Sequence, residues 1–252
     1  MPRPTDYLLP GYTYHLTHRC ADQQFLLRFA RDRDVYREWL REGANRHKVP
    51  VYGYCITSNH VHVLAHADNP DAVSQLIHLA SGSTAKQYNL RKSRTGPAWE
   101  HPYQCTIVEG GRHLLNCLVY ISLNMVRAGV VTHPREWLWS SHDELVGTRQ
   151  RYRLIDKKRL IESLGTGSEQ QLREWYLDAV QRRIAEGALR REDHWTASLA
   201  VGSREFVERA KSQYANRCSF DTESVSGTDT ATWTIRETSV AYEPFSGSKK
   251  SS

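Results

Sequence analysis

Residues Tyr12-Thr13-Tyr14-His15-Leu16-Thr17-His18-Arg19 are β-rich and alternate in polarity after a Pro10-Gly11 turn, which predicts a first strand. From Asp32 to His47 the period changes: Val35, Trp39, Leu40 and Ala44 recur at helical spacing among charges, and Val49-Pro50 closes the helix. Val51 to Ile56 reads as a second strand, and the short Thr57-Ser58-Asn59 turn leads into a third, His60 to His66, so the two form a hairpin. Asn69-Pro70-Asp71 signals a helix start, and Val73, Leu76, Ile77, Ala80, Thr84 and Tyr88 carry one stripe through a long second helix that ends before Thr95-Gly96-Pro97. Tyr103 to Val108 is a fourth strand, and Gly110-Gly111 precedes a third helix, His113 to Arg127.

The order β, α, β, β, α, β predicts an α+β fold: a ferredoxin-like βαββαβ core with an antiparallel sheet, helices on one face and the histidine strand central. This core spans residues 1–147. Residues 148–218 read as a small helical appendage, with Leu160-Ile161 in a short helix, a Ser168/Gln171 capping box before Leu172 and Trp175, and Ser203 ahead of Phe206 and Val207. Residues 219–252, rich in Ser, Thr and Gly, read as a disordered tail. No internal repeat occurs.

The 252 residues, 39% of them hydrophobic, suffice for a real core. The formal charge is +6 at pH 7, and because residues 219–252 hold three basic and five acidic groups, the excess of cations lies in the part expected to fold. A polyanionic partner suits it. The five cysteines are odd in number, widely spaced and without Cys-x-x-Cys, which argues against a disulfide framework or a zinc ribbon and for free thiols in a reducing cytoplasm. With neither a signal-like N-terminus nor a stretch of roughly 20 apolar residues, the expectation is a cytoplasmic protein with no membrane partner.

Two places carry candidate chemistry. In a strand His60 and His62 share a face while Val61 and Val63 point away; this is the spacing of a metal-ligand pair, and equally that of a polar exposed face. On the third helix, Leu114, Leu115, Leu118, Val119, Ile121, Met125 and Val126 form an apolar arc, and His113, Asn116, Tyr120, Asn124 and Arg127 gather opposite. Tyr120 is thus expected off the core face, one turn from Asn124 and about 5–6 Å from it at Cβ. A solvated helix face bearing a tyrosine explains that pattern too, unless the histidines lie nearby.

His60-Val61-His62 resembles the His-hydrophobic-His motif of the HUH single-strand nucleases, and Tyr120-Ile121-Ser122-Leu123-Asn124-Met125-Val126-Arg127-Ala128-Gly129-Val130-Val131 resembles the helix that carries the single tyrosine of REP-associated tyrosine transposases, an insertion-sequence-200-like group. Trp137-Leu138-Trp139-Ser140-Ser141-His142 is similar to that family's tryptophan- and serine-rich turn, and Leu199 to Val207 to the C-terminal region of its longer members. The chain departs from the pattern at Met125, where proline is usual, and at Cys20, where glycine is common.

The resemblance implies that His60, His62 and Asn124 hold a divalent cation and that Tyr120 is the nucleophile that cuts and rejoins single-stranded hairpin DNA through a 5′-phosphotyrosine. Two imidazoles and an amide leave positions open for phosphate oxygens and suit Mg²⁺ or Mn²⁺. Arg19 and Arg127 are candidate phosphate contacts, Lys86, Arg91, Lys92 and Arg94 a candidate basic DNA-contacting segment, and Trp99 and Tyr103 candidate base-stacking groups. Arg182, Arg183, Arg190 and Arg191 add a basic stretch in the appendage, whereas His15, His18, His78, His101 and His113 read as surface or core histidines and His66 as a weaker ligand candidate. Both a monomer and a homodimer fit the sequence. A non-cleaving DNA-binding regulator and a hydrolase using metal-activated water are the competing readings.

Overall fold

The computed structural model describes residues 8–100, 103–187, 189–214, 220–227 and 231–237. His101, Cys218 and the tail beyond residue 237, on which expectations were placed, lie outside them. Strand β1 (Tyr12–Arg19) is followed by α1 (Ala30–His47), the hairpin β2 (Val51–Ile56) and β3 (His60–Ala67), α2 (Pro70–Lys92) and β4 (Gln104–Val108). Then come α3 (Arg112–Ser122), α4 (Asn124–Arg127), α5 (His142–Leu145), α6 (Lys157–Leu164), α7 (Glu169–Ala185), α8 (His194–Ala197), β5 (Ala200–Gly202), α9 (Arg204–Tyr214), β6 (Phe220–Val225) and β7 (Thr232–Glu237). The sheet order is β2-β3-β1-β4-β5-β7-β6. Its first four strands are antiparallel, with β3 between β2 and β1; this is the predicted ferredoxin-like core.

Local chemistry sets the helix ends. Asn69 caps α2 by accepting from the Asp71 amide at 2.9 Å, and Pro70 follows where its missing N–H costs nothing. Ser168 caps α7 through the Gln171 amide, 3.1 Å away. The helix expected over residues 113–127 is instead two, α3 and α4, divided at Leu123, where ψ opens to 4°.

Helices cover both faces of the sheet, not one. Val61, Val63 and Ala65 of β3 pack with Leu40, Leu76 and Ile77 of α1 and α2, while Leu64 packs on the other face with Leu114, Leu115, Leu118 and Ile121 of α3. The helical part of the C-terminal region closes over the outside of α3 through Leu160, Leu172, Tyr176, Val180 and Trp195. Both sides of α3 are consequently buried, which is why Tyr120 is only 5% exposed and His113 6%; a polar stripe on an isolated helix was the wrong guide to exposure once a second layer covered it. Gly53 lets α3 approach the sheet, since a Cβ there would meet Leu118 Cδ1 at 2.5 Å.

The C-terminal region is also more than helical. Strand β5 joins the sheet parallel to β4, and the expected disordered tail contributes the antiparallel pair β6–β7 over residues 220–225 and 232–237, with β7 paired to β5. Thr is a good strand former, and the alternation of Trp233 and Ile235 buries Ile235 completely; pairing also covers the edge that β5 leaves open. At the opposite edge, the Trp137-Leu138-Trp139-Ser140-Ser141 turn hydrogen-bonds β2: Ile56 N donates to Trp139 O at 2.9 Å, Ser141 N to Tyr54 O at 2.9 Å, and the Trp137 indole to Ile56 O at 3.0 Å. Behind this turn Glu144, fully buried, accepts from Tyr54 Oη at 2.8 Å, Arg37 at 3.0 Å and the amides of Leu154 and Ile155 at 2.6 and 2.9 Å. The four described cysteines, Cys20, Cys55, Cys105 and Cys117, are free thiols.

Candidate active site

The turn between β2 and β3 orients the first histidine. Thr57 Oγ1 accepts from the amides of Asn59 and His60 at 3.3 and 3.0 Å and donates to His60 O at 2.8 Å. His60 Nδ1 lies 2.8 Å from Asn59 Oδ1; a carboxamide oxygen only accepts, so Nδ1 carries the proton and Nε2 keeps its lone pair. Two residues on, His62 projects from the same face of β3, its ring centroid 4.8 Å from that of His60 at 88°. His62 Nδ1 sits 2.8 Å from His15 Nε2 and 3.3 Å from Thr17 Oγ1, and its Nε2 is 2.9 Å from Asn124 Nδ2.

Tyr120 reaches the same place from α3. Its ring centroid is 6.3 Å from His62 and 6.2 Å from Trp195. Arg127 wraps back over it, the guanidinium 4.0 Å from the ring centroid and Nη1 donating to Tyr120 O at 3.0 Å, a cation–π contact that fixes the aromatic plane. His60, His62, Tyr120 and Asn124 line one open cavity of about 320 Å³, with Arg19, Arg127 and Arg191 among its walls.

The electrostatics favour neutral imidazoles. Burial lowers the His60 pKa to about 4, helped by the positive charges of Arg19, Arg127 and Arg191, and burial holds His62 well below its ordinary value, reinforced by His60 and His15. Burial raises the Tyr120 phenol, and the nearby Arg127 opposes that rise. The ligand form of histidine is the neutral one, so both residues are ready for a cation at neutral pH.

The same physics bears on stability. Burial brings His15 and His142 down to about 4, whereas unfolded histidine titrates near 6.5. Between those values the unfolded chain binds more protons, so the contribution of these neutral histidines is complete above about pH 6.5 and is lost as pH falls toward 4, by up to about 1.4 kcal/mol per pH unit for each. Urea melts of metal-free protein at pH 7.0 and 5.0 should show lower stability at pH 5.0, and His142→Phe should flatten the slope.

Of the residues singled out from sequence, His60, His62, Tyr120, Asn124, Arg19 and Arg127 converge here, and so does Arg191. The basic end of α2 does not. Lys86 and Lys92 are exposed, Arg91 pairs with Asp32, and Arg94 donates to Asn89 Oδ1 at 3.1 Å and Pro97 O at 3.0 Å. Trp99, offered as a base-stacking group, is buried at 6% exposure, stacked on His18 with its indole N–H donating to Ser81 O at 2.9 Å; it has no free face for a base. Tyr103 shares a hydrogen bond with Ser74 at 3.2 Å, and His66 turns to Thr13 and Asp68, away from the cavity.

Sequence reading took His15 only as a surface or core histidine, and passed over Thr17 and the segment around Trp195. Their one signal was the polar face of β1, where Thr13, His15 and Thr17 alternate with apolar residues. Antiparallel pairing sets Thr17 opposite His62 and His15 opposite Leu64, which places both side chains on the His62 face.

The donor set fits a divalent cation. His60 Nε2 is unprotonated, His62 Nε2 lies 2.9 Å from the Asn124 amide nitrogen, and a half-turn of that amide presents oxygen in place of nitrogen. Among the described residues no cluster of three His, Cys, Asp or Glu side chains is arranged for a metal, so the amide is the candidate third donor. No helix of the described residues is long and apolar enough to cross a membrane.

No curated protein gives a significant match to the chain. Among solved structures, a REP-associated tyrosine transposase bound to a REP hairpin is similar at 13% identity and a TM-score of 0.45, over 55% of this chain and 81% of that one. A protein from Deinococcus radiodurans R1, described as a candidate transposase, is similar at 15% identity and a TM-score of 0.32, over 39% of this chain and 79% of that one. The family model described as "Transposase IS200 like" matches residues 9–124, just under half of the chain, and includes both histidines, Tyr120 and, as its last residue, Asn124. Over those residues the chain is similar to the IS200-like transposases.

Proposed function

We propose that the protein is a single-tyrosine endonuclease and strand transferase acting on single-stranded DNA, with the hairpin substrate that the resemblance of the Tyr120 helix implies. The observation that carries the reading is the meeting of Tyr120 and Asn124 with His60 and His62 in one cavity, from segments about sixty residues apart in the chain. In this reading Tyr120 Oη attacks the scissile phosphorus. A Tyr–O–P bond forms, the bond from phosphorus to the 3′ oxygen breaks, the phenol proton passes to water and the leaving oxygen takes a proton to become a 3′ hydroxyl. The phosphodiester's energy is kept in the phosphotyrosine, so the 3′ hydroxyl of the same or another strand can reverse the step without a nucleotide cofactor.

His60, His62 and Asn124 would hold a divalent cation, Mg²⁺ or Mn²⁺, which when bound would supply Lewis-acid polarisation of the phosphate. Arg19, Arg127 and Arg191 on the cavity wall offset the charge of the strand and position it. Arg127 also keeps the Tyr120 ring in place, and its positive charge eases loss of the phenol proton. In this reading the protein acts at the nucleoid, where its DNA substrate lies.

Labelled single-stranded hairpin DNA incubated with the protein and Mn²⁺ is expected to give a cleaved strand and a denaturant-resistant protein–DNA adduct. EDTA should reduce both below detection, and added Mn²⁺ should restore them. Hairpin binding with no adduct under any tested divalent ion contradicts the reading and favours a DNA-binding regulator instead.

A further inference from the structure

The C-terminal region reaches the catalytic cavity through a backbone atom. Trp195, on α8, is 2% exposed, and its carbonyl oxygen lies 2.8 Å from His15 Nδ1. His15 is itself 1% exposed and His62 2%, and their facing nitrogens, His15 Nε2 and His62 Nδ1, are 2.8 Å apart. A carbonyl only accepts, so His15 Nδ1 carries a proton. In neutral His15 the other nitrogen then has the lone pair and accepts, which makes His62 Nδ1 the donor and leaves the lone pair of His62 on Nε2. At that nitrogen stands the Asn124 amide, with Nδ2 as donor at 2.9 Å, oriented for the same polarity. Every contact in the chain Asn124, His62, His15, Trp195 runs one way.

We infer that His15 is a positioning residue: anchored by the Trp195 carbonyl, it locks His62 in the Nδ1–H tautomer and thereby presents Nε2 to the cavity. The inference rests on the reading of His62 as a ligand for its purpose, though not for its geometry. It gives the C-terminal region a role in building the site, because α8 supplies the acceptor that orients the row. Thr17 Oγ1, 3.3 Å from His62 Nδ1, is a second, longer acceptor for the same proton and cannot by itself hold the ring as squarely. A partner behind a metal-binding histidine fixes both ring orientation and tautomer, and removing such a partner typically costs about 10–100-fold in metal affinity.

Long-range ¹H–¹⁵N spectra of the histidine rings in the full-length, metal-free protein test this directly. Wild type should show His62 as the Nδ1–H tautomer. His15→Phe, which keeps a ring but no acceptor, should show Nε2–H or a mixture, and should bind Mn²⁺ about 10–100-fold more weakly by titration. His15→Gln offers an oxygen to His62 and an N–H to the Trp195 carbonyl, so it should retain the Nδ1–H tautomer and recover affinity; it also serves if the Phe variant fails to fold. A wild-type His62 in the Nε2–H form, or an unchanged tautomer and Mn²⁺ affinity in His15→Phe, would overturn the inference. The expected tautomers with no Mn²⁺ binding even in wild type would leave the relay standing and remove the metal-nuclease reading.

Discussion

Tyr120→Phe is expected to abolish adduct formation and strand cleavage while leaving the protein folded. The ring is 5% exposed and held by packing, with Arg127 over its face at 4.0 Å and Trp195 and His62 at its edges. Phenylalanine preserves those contacts and removes one oxygen. Stability should change by no more than about 1 kcal/mol, the scale of one hydrogen-bonding group. Loss of a nucleophile, by contrast, removes the only route to a covalent intermediate, and rate losses for such residues are on the order of 10⁴-fold or more. Cleavage that survives in the folded variant would mean that activated water, not the tyrosine, attacks the phosphate. Circular dichroism together with a gel assay on labelled hairpin DNA separates the outcomes.

Glu144→Ala should be the most damaging change to stability away from the cavity. The carboxylate is fully buried and receives four hydrogen bonds, from Arg37, Tyr54 and the amides of Leu154 and Ile155. Alanine strips the acceptor from all of them at once, leaving a buried and a half-buried amide, a buried phenol and a half-buried guanidinium without it. Breaking a buried charge pair from one side costs about 3–5 kcal/mol, and in a chain of this size each kcal/mol lowers Tm by roughly 2–4 °C. A fall in Tm of about 10 °C is therefore expected, with Glu144→Gln intermediate because its amide oxygen still accepts. The effect reaches beyond local packing: Glu144 ties the segment after the Trp137–Ser141 turn to Tyr54 on β2, and that turn covers the exposed edge of the sheet. A Tm within 2 °C of wild type for Glu144→Ala would show that the network is replaced by water at no cost.

Much of this architecture was legible in the residues themselves. Strands β1, β2 and β3 and helices α1 and α2 follow from a change of period between 2 and 3.6, and the Asn69-Pro70 and Ser168 caps sit where the sequence put them. The two halves of the candidate site were legible for the same reason: a strand places His60 and His62 on one face, and Tyr120 and Asn124, four residues apart, line the same cavity although the helix divides between them. What escaped depends on partners far along the chain. The proton row needs the register of β1 against β3, which joins residues 47 positions apart, and ends on a backbone carbonyl, which no side-chain pattern reveals. The burial of Tyr120 depends on α7 and α8 covering α3, so an isolated helical wheel left exposed an arc that the fold buries. Composition also misled at the C-terminus, where a Ser- and Thr-rich segment reads as unstructured although Phe220, Trp233 and Ile235 carry the alternation of paired strands. Trp99 was counted by its chemistry alone, while its burial under His18 and Ser81 is a matter of tertiary packing.

The central claim is that Tyr120 becomes covalently joined to DNA at the cavity it shares with His60, His62 and Asn124. Mass spectrometry of the proteolysed adduct, formed on single-stranded hairpin DNA with Mn²⁺, tests it most directly. The prediction is a single nucleotide-modified peptide with the phosphodiester mass on Tyr120. Modification at any other residue, or no DNA-linked peptide from a strand that has nonetheless been cut, would contradict it.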